Sequence, residues 1–301
     1  MKASIIIPTL NRRKELAECL ESIFGCSQQS SLLEVIVIDN NSSDGTLEFL
    51  REFAAKAPKL RFIQINQRDA IRARNLGFSL ALGDIVIHID DDIVVDKEWL
   101  RNLTTAYVDE TVGGVGGRLL NSGQISKAKS MLIVGRIAPW GQFFTNFDAL
   151  LPREVGFLHG SNASFRRDLV VKVKGLDLSY KTNWRDDTDL CVRIRKLGYK
   201  LLFQPAALVW HKCAGSSTRF SSENKVYGHF WNREYFYYKN VFTLKNFPYS
   251  PIFAFSEVAF CVTLCARNHR TRYLRKCFQG MRDGSAVGLR SRCKSGNVAN
   301  P

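Results

Sequence analysis

The chain has 301 residues, of which 45% are hydrophobic, and its formal net charge is +15 at pH 7. This length and composition supply a sizeable core, either as one large domain or as a domain with an appendage. None of the eight cysteines forms a Cys-x-x-Cys pair and no Cys/His cluster matches a zinc site, so we expect free, mostly buried thiols, typical of a reducing cytoplasm.

Strands and helices alternate along the first hundred residues. Apolar runs and helical spacings predict a strand at Ala3–Ile7, a helix at Arg13–Phe24, a strand at Glu34–Ile38, a helix at Thr46–Ala57, a strand at Leu60–Ile65 and a helix at Ala70–Leu82. A fourth apolar strand, Gly83–Ile89, follows. Alternation at this pitch predicts right-handed crossovers and a parallel sheet.

Three consecutive carboxylates, Asp90, Asp91 and Asp92, follow the fourth strand. Ligands of open α/β sheets bind outside the carboxyl ends of the strands. Three acids at such a place repel one another, and their hard oxygens suit Mg²⁺ or Mn²⁺ shared with substrate phosphates. The alternative is a solvated acidic turn.

Polar loops also follow the first two strands, at Thr9–Arg12 and Asp39–Asn41. Because all three loops lie at carboxyl ends of strands, they can converge on one ligand with several polar parts, such as a nucleotide. The chain has no Gly-x-Gly-x-x-Gly after the first strand and no Gly-Lys-Ser/Thr loop, which argues against a dinucleotide dehydrogenase and a P-loop ATPase.

The ordered motifs resemble those of family 2 glycosyltransferases of the GT-A type, over about residues 3 to 212. The matching segments are Ser4–Arg12, Val37–Thr46, Ala73–Gly77, Asp90–Asp92, Gly160–Arg167 and Asp186–Leu190. The resemblance implies an α/β fold of the GT-A type, with a Rossmann-like, mostly parallel sheet flanked by helices. It extends loosely to inverting, rhamnosyltransferase-like enzymes.

The resemblance also implies the roles of individual residues. The residues expected to bind the nucleotide sugar are Pro8, Thr9, Asn11, Asp39, Arg74, Asp90 and Asp91. Asp92 is expected to hold Mg²⁺ or Mn²⁺, and His211 to approach the metal or the diphosphate. The simpler alternatives are an Asx turn for Asp39, a helix-surface ion pair for Arg74 and a structural role for His211.

Asp187 opens a predicted helix that closes at Gly198. Acids stabilise a first helical turn whatever else they do, and Asp189 could pair with Arg193 one turn later. The resemblance implies instead that Asp187 is the catalytic base, since family members commonly have Glu-Asp where this chain has Asp186-Asp187. A single base opposite the leaving group implies inversion at the anomeric carbon.

The domain boundaries predicted are 1–220 for the GT-A catalytic domain and 221–301 for an aromatic and basic helical region. Between Lys245 and Pro301, ten Lys or Arg stand against Glu257 and Asp283. The apolar segment Pro251–Ala266, short for a membrane span, precedes most of these basic residues, so it is either an interfacial helix or a helix packed on the catalytic domain.

The expected partners are a UDP- or dTDP-type sugar donor, a glycan or lipid-linked acceptor, and an anionic membrane surface that meets the basic region. Met1–Pro8 has too short an apolar run for a signal peptide, so we expect a cytoplasmic enzyme, peripheral on the inner face of the cell membrane. Nucleic acid is not expected, because carboxylates at the strand ends would repel phosphate. The alternatives are a sugar-phosphate nucleotidyltransferase and a nucleotide-binding, non-catalytic scaffold.

Overall fold

The computed structural model describes residues 1–27, 30–121, 133–212, 220–267 and 273–295. Two compact units interleave along the chain. The sheet unit comprises Met1–Arg136, Thr145–Asp177 and Leu190–Ala214, and the helical unit comprises Ile137–Phe144, Leu178–Asp189 and Gly215–Pro301. This division differs from a single cut at residue 220, because 137–144 and 178–189 group with the C-terminal residues.

The first hundred residues form the alternating elements that the apolar periodicity predicts. They are β1 (Ala3–Thr9), α1 (Arg13–Phe24), β2 (Leu32–Asp39), α2 (Thr46–Ala54), β3 (Leu60–Gln64), α3 (Ala70–Leu80), β4 (Ile85–His88), β5 (Ile93–Val95) and α4 (Trp99–Thr105). Fully buried apolar side chains of β1, β2 and β4 form one core with those of α1, which is why these strands are continuous apolar runs.

The rest of the sheet unit adds strands of both directions. The further elements along the chain are β6 (Val112–Asn121), β7 (Arg136–Ile137), β8 (Phe143–Phe144), β9 (Arg153–Glu154), β10 (Ala163–Arg166), α5 (Arg167–Lys172), α6 (Asp186–Lys196) and β11 (Lys200–His211). β7 and β8 pair as a separate two-stranded ribbon. Of these elements, β7, β8 and α6 lie partly or wholly in the helical unit. The main sheet has the order β3-β2-β1-β4-β10-β6-β11-β5, with β9 beside β11.

The sheet is parallel from β3 through β4, and β6 and β11 are also parallel to each other. β10 runs antiparallel to β4 and β6, and β5 runs antiparallel to β11. The predicted mostly parallel α/β sheet with flanking helices is therefore confirmed, with β10 as an antiparallel insertion. The glycine cluster Gly113–Gly117 lies in β6, where a Cβ at Gly117 would collide with the carbonyl oxygen of Ala207 on β11.

Among the residues described after 220, three helices make up most of the helical unit, which confirms the predicted C-terminal helical region. They are α7 (Glu223–Phe236), continued by a π-helical segment at Tyr237–Val241, α8 (Ser250–Arg267) and α9 (Tyr273–Ser295). Gly280 and Gly284 of α9 lie so close to the backbone of α7 that a Cβ at either would collide with a carbonyl oxygen of Tyr227 or Trp231.

Within the described residues, one stretch is long and apolar enough to cross a membrane, judged by length and composition. It is Phe247–Ala266, 20 residues that include most of α8, and 28% of its most apolar part is buried. This stretch is longer than the Pro251–Ala266 segment recognised in the sequence, because flanking residues join the same helical run.

Candidate active site

The three acids after β4 are largely buried, and each has a partner on another segment. Ser161, in a 3-10 turn before β10, donates to the Asp90 carboxylate. Thr9, at the end of β1, donates from Oγ1 to Asp91 Oδ2 over 2.8 Å. Asp91 and Asp92 are 5% and 3% exposed, so they are not a solvated acidic turn, and their charges require compensation.

Arg12 compensates two of these acids at once. Its Nη1 lies 3.0 Å from Asp91 Oδ1 and 2.9 Å from Asp92 Oδ2. Burial nevertheless outweighs Arg12 and Thr9, and raises the pKa of Asp91 to about 7. Asp91 can therefore carry a proton near neutrality.

His211, at the end of β11, faces the same acids. Its Nε2 lies 3.1 Å from Asp92 Oδ1. The hydrogen bond to Asp92 raises the pKa of His211 above its ordinary value, although burial opposes the shift. The structure thus brings the predicted ligand His211 to the predicted ligand Asp92.

These side chains form a donor set that fits a divalent cation. One ligand atom from each of Asp90, Asp92 and His211 can be chosen so that all three lie within 4.8 Å of one another. Two carboxylates and an imidazole suit an oxygen-preferring ion that also accepts nitrogen, such as Mn²⁺. Asp90 was predicted on the nucleotide side only, and this geometry adds it to the candidate ligands.

Asn11 and Asp39 join the loops that follow β1 and β2. Asn11 adopts a left-handed conformation, with φ of 53°, and its Oδ1 accepts from Ser43 N over 2.7 Å. Asp39 is fully buried, accepting from Ser42 N over 3.0 Å and from Gln64 Nε2 over 2.9 Å. Asp39 thus holds the loop after β2 by a side-chain contact to the backbone three residues on, a local role close to the Asx turn weighed as its simpler alternative. It lies at the carboxyl end of β2 beside its register partner Thr9.

Arg74 is a buried cation of α3, 5% exposed, and not a helix-surface ion pair. Its Nε donates to the carbonyl of Ala70 over 3.2 Å. Burial alone would raise the pKa of Asp90, but His88, the hydrogen bond from Ser161, and Arg74 together hold it below its ordinary value. The positive charge of Arg74 is therefore close enough to stabilise the Asp90 carboxylate.

Asp187 lies in the first turn of α6, in the helical unit. Its Oδ1 accepts from Thr188 N over 2.7 Å, while the buried Asp189 forms an ion pair with Lys239 Nζ over 2.8 Å. The preceding Arg185 has φ of 78° and stacks on the Phe143 ring. The role of Asp187 as base stays a prediction.

Three residues that contribute to the site were not among the predicted site residues: Arg12, Ser161 and His88. Arg12 and Ser161 both lie in segments that carried the family resemblance, so the motifs contained them without indicating their contacts. His88 was part of the fourth apolar strand and carried no signal of its own. Pro8, at the end of β1, is half-buried beside Thr9.

The fold and site define an α/β protein with a cluster of carboxylates and a histidine at the carboxyl ends of its strands. Comparison with known proteins gives the family. The family model described as "Glycosyl transferase family 2" matches residues 4–173, and the chain belongs to that family.

Individual relatives are distant. The chain is 26% identical over 221 residues to the probable glycosyltransferase YdaM of Bacillus subtilis, covering 70% of this chain and 50% of the relative. It is 30% identical over 146 residues to the dolichol-phosphate mannosyltransferase of Pyrococcus furiosus, covering 46% and 41%. The chain thus spans half or less of the length of these curated relatives.

Solved structures share the fold. The mannosyltransferase PcManGT of Pyrobaculum calidifontis, in complex with GDP-Man and Mn²⁺, aligns with a TM-score of 0.57 at 18% identity, covering 98% of this chain and 88% of that chain. GalNAc-T7 with UDP, GalNAc and Mn²⁺ aligns with a TM-score of 0.63 at 18% identity, covering 79% and 50%. The predicted GT-A fold is confirmed.

Proposed function

We propose that the protein transfers a sugar from a nucleotide-diphosphate sugar to an acceptor hydroxyl, with inversion at the anomeric carbon. The observation that carries the proposal is the meeting of Asp90, Asp92 and His211 at the carboxyl ends of β4 and β11. Asp90 and Asp92 follow the predicted fourth strand. A group of that composition, with Asp92 buried and Asp90 and His211 half-buried, has little structural purpose without a cation and a phosphate ligand.

Asp90, Asp92 and His211 would hold the divalent cation, Mg²⁺ or Mn²⁺. When bound, such a cation neutralises negative charge on the departing diphosphate. Arg12 orients Asp92 from the other side, because its guanidinium occupies the Oδ2 atom and leaves Oδ1 directed towards His211. This arrangement fixes the carboxylate before any ligand arrives.

The nucleotide pocket of the proposal consists of Pro8, Thr9, Asn11, Asp39, Arg74 and Asp91. We propose a UDP or dTDP donor, on the family resemblance, with Asp39 near the base. The two solved structures above hold GDP-Man and UDP respectively, so the experiment compares donors that differ in their nucleotide base.

Asp187 is the proposed base. A carboxylate at this point would accept the proton of the acceptor hydroxyl as that oxygen attacks the anomeric carbon. One base on the face opposite the leaving group gives a single displacement and hence inversion. The half-buried Asp187 carboxylate accepts from Thr188, which fixes its orientation.

The proposed acceptor is a glycan or lipid-linked saccharide at the inner face of the cell membrane, with a peripheral, cytoplasmic enzyme. Support comes from α8, where Ile252, Phe255, Val258 and Val262 are 42% to 75% exposed at helical spacing. An exposed apolar helix face in a strongly basic region suits an anionic membrane interface.

The experiment measures donor consumption across UDP-, dTDP- and GDP-sugars with Mg²⁺, Mn²⁺ or EDTA, together with calorimetry of nucleotide binding. We expect metal-dependent consumption of one donor. Asp187→Asn should lose at least a hundredfold in turnover while keeping nucleotide affinity, because it removes only the proton acceptor. The exposed Asp168, in the first turn of α5, supplies the matched control Asp168→Asn.

The outcomes separate the candidates. Metal-dependent nucleotide binding without turnover in wild type would support a scaffold, and formation of a nucleotide sugar from a sugar phosphate would support a nucleotidyltransferase. Absence of both binding and turnover would contradict the proposal.

A further inference from the structure

Three buried cysteines of the helical unit converge on one point. Cys261 and Cys265 lie one turn apart on α8, and Cys277 lies on α9. Their Sγ atoms all lie within 4.8 Å of one another, and none of the three forms a disulfide. The proposed glycosyl transfer makes no use of these thiols.

The surroundings of the three thiols are apolar. The thiols form a buried cluster with Val226, Phe230, Leu264 and Tyr273. The Tyr273 hydroxyl donates a hydrogen bond to the carbonyl of Phe220 over 3.1 Å. Thiols in such surroundings suit a soft metal ion and not an ion that prefers oxygen ligands. Burial raises the pKa of Cys261 and of Cys277, so both thiols are protonated when no cation is present.

The sulfur positions suit a soft metal ion. A zinc–sulfur bond is about 2.3 Å, so two sulfurs on one tetrahedral zinc lie about 3.8 Å apart. All three sulfur pairs lie within 4.8 Å, so each pair has to approach by at most about 1 Å to share such an ion. Ligands at i and i+4 of one helix, with a third from its neighbour, are a geometry that a metal can join without moving the backbone.

We propose that Cys261, Cys265 and Cys277 form a site for a soft d¹⁰ cation of the Zn²⁺ class, which ties α8 to α9. Each thiol that coordinates releases its proton to solvent, and no electron is transferred. Among the described residues the site offers three protein ligands, so a fourth position is left to water or a solute. This site is independent of the carboxylate-histidine site and of the proposed transferase activity.

The ordinary alternative to metal binding is a cysteine that only packs in the core, and the remaining described cysteines are of that kind. Cys19, Cys26 and Cys191 are also buried and form no disulfide, but they belong to no such cluster within the described part of the chain. They behave as small hydrophobic side chains. If that were also true of the α8–α9 cysteines, their convergence would have no consequence for metal binding.

The test uses the full chain, purified with a non-coordinating reductant, stripped with EDTA and titrated with Cd²⁺ as a spectroscopic probe and with Zn²⁺. We expect a thiolate-to-cadmium charge-transfer band that saturates at one equivalent, and a rise in melting temperature with Zn²⁺. The band reports sulfur ligands only, so metal bound at Asp90, Asp92 and His211 does not contribute to it.

Variants assign the site. Cys261→Ala, Cys265→Ala and Cys277→Ala should each weaken Zn²⁺ binding by at least tenfold and diminish the band, whereas Cys26→Ala and His211→Ala should keep it. Because a core variant can fail to fold, wild type is also alkylated during brief exposure to urea, which opens the buried thiols to the reagent, with and without Zn²⁺, and mapped by mass spectrometry. Zn²⁺ should protect Cys261, Cys265 and Cys277 and leave the modification of Cys26 unchanged.

Two results would overturn the proposal. One is folded wild type that shows no thiolate band and no protection of the three cysteines. The other is a band of wild-type size in all three folded alanine variants, which would place the sulfur ligands elsewhere.

Discussion

At the residue scale, Asp90, Asp91 and Asp92 have partners at the end of β1 and on the loop after it, on the turn before β10 and, through His211, at the end of β11. Ser161 donates to Asp90, Thr9 to Asp91, and Arg12 to both Asp91 and Asp92. Each carboxylate keeps its orientation without a ligand, because its hydrogen-bond donors are held by strand ends and short turns. A site prepared in this way loses little entropy when a cation and a diphosphate bind.

The Ser161 hydroxyl gives the first prediction. Ser161→Ala removes the hydrogen bond that holds Asp90, so we expect about a ten- to hundredfold loss of Mn²⁺ affinity, the range found for partners that orient metal ligands. Calorimetric titration with Mn²⁺ measures it. The matched control is Ser164→Ala, since that buried hydroxyl bonds Tyr107 and the Val115 carbonyl and does not serve Asp90. Equal losses in both variants would contradict a specific role for Ser161.

Glu234 of α7 gives a prediction of pH dependence. Burial raises the pKa of Glu234 from 4.5 to about 9. The negative charge of Glu257 adds to this rise, and the positive charge of Arg233 opposes it. Between these pH values the native state holds a proton that the unfolded state has lost, so the free energy of unfolding falls as pH rises. Glu234→Gln removes that titration, and its advantage over wild type should grow by at most about 1.4 kcal/mol per pH unit.

Urea unfolding at pH 5, 7 and 8.5 measures the difference between Glu234→Gln and wild type. The gap should widen through this window and stop growing above about pH 9, where the carboxyl is ionised in both states. The exposed Glu110 supplies the control Glu110→Gln, which should follow the wild-type profile. A gap that stays constant with pH would show that Glu234 is ionised throughout.

The residue-level predictions from sequence were strongest where a polar residue follows an apolar strand. Asp90, Asp92 and His211 were predicted as site residues and meet in space. Arg12 was not, because nothing local indicates that its side chain reaches residues some eighty positions away. Asp39 shows the opposite case, since the turn in which it lies explains its position before any ligand does.

At the element scale, the glycines of α9 explain how closely it approaches α7. A Cβ at Gly284 would collide with the backbone carbonyl oxygen of Trp231, and one at Gly280 would collide with that of Tyr227. A backbone carbonyl cannot rotate away as a side chain can, so the helices would have to separate. Glycine at these positions therefore lowers the intrinsic stability of the helix but allows α9 to pack closely against α7.

Gly284→Ala tests this packing. Alanine in a helix interior is intrinsically about 1 kcal/mol more stable than glycine. We nevertheless expect a net loss of about 1–3 kcal/mol in the free energy of unfolding, because the added methyl overpacks the α7–α9 contact. Chemical denaturation measures it. Ala286→Leu, at an exposed position of the same helix, should change little, and a stabilised Gly284→Ala would contradict the packing inferred.

Elements with a clear period were predictable, and those determined by their neighbours were not. β1, β2 and β4 are continuous apolar runs because helices cover both faces of a parallel sheet, and their positions matched within a few residues. β10 and β5 are only four and three residues long and run antiparallel to their partners. Such short strands have no period of their own, so only the strands beside them determine their direction.

At the scale of the whole molecule, charge and apolar surface coincide in the C-terminal fifth of the chain. Between Lys245 and Pro301 the positive charges exceed the negative charges by eight, and α8 lies within this segment. The exposed face of α8 includes Phe255, which is 75% exposed. Basic residues contribute about 1 kcal/mol each near an anionic bilayer, and apolar insertion adds to that attraction. Either contribution alone is weak, so the proposed membrane contact requires both.

Phe255→Glu weakens both contributions at once. It removes an aromatic side chain whose burial is worth about 1.5–3 kcal/mol and adds a repelled charge, so binding to phosphatidylserine-containing vesicles should fall at least tenfold in a flotation assay. Val108, in the sheet unit, is also 75% exposed, so Val108→Glu makes a matched change outside α8 and should leave binding unaltered.

Salt then distinguishes a membrane surface from non-specific adhesion. Wild-type binding to anionic vesicles should weaken between 0.05 and roughly 0.5 M salt as charges are screened, yet a residual, Phe255-dependent binding should persist because apolar insertion is not screened. Equal binding by wild type and Phe255→Glu at every salt concentration would mean that the basic charge alone attracts the lipid. The exposed face of α8 would then have to serve another partner, and the case for a lipid-linked acceptor would lose its structural support.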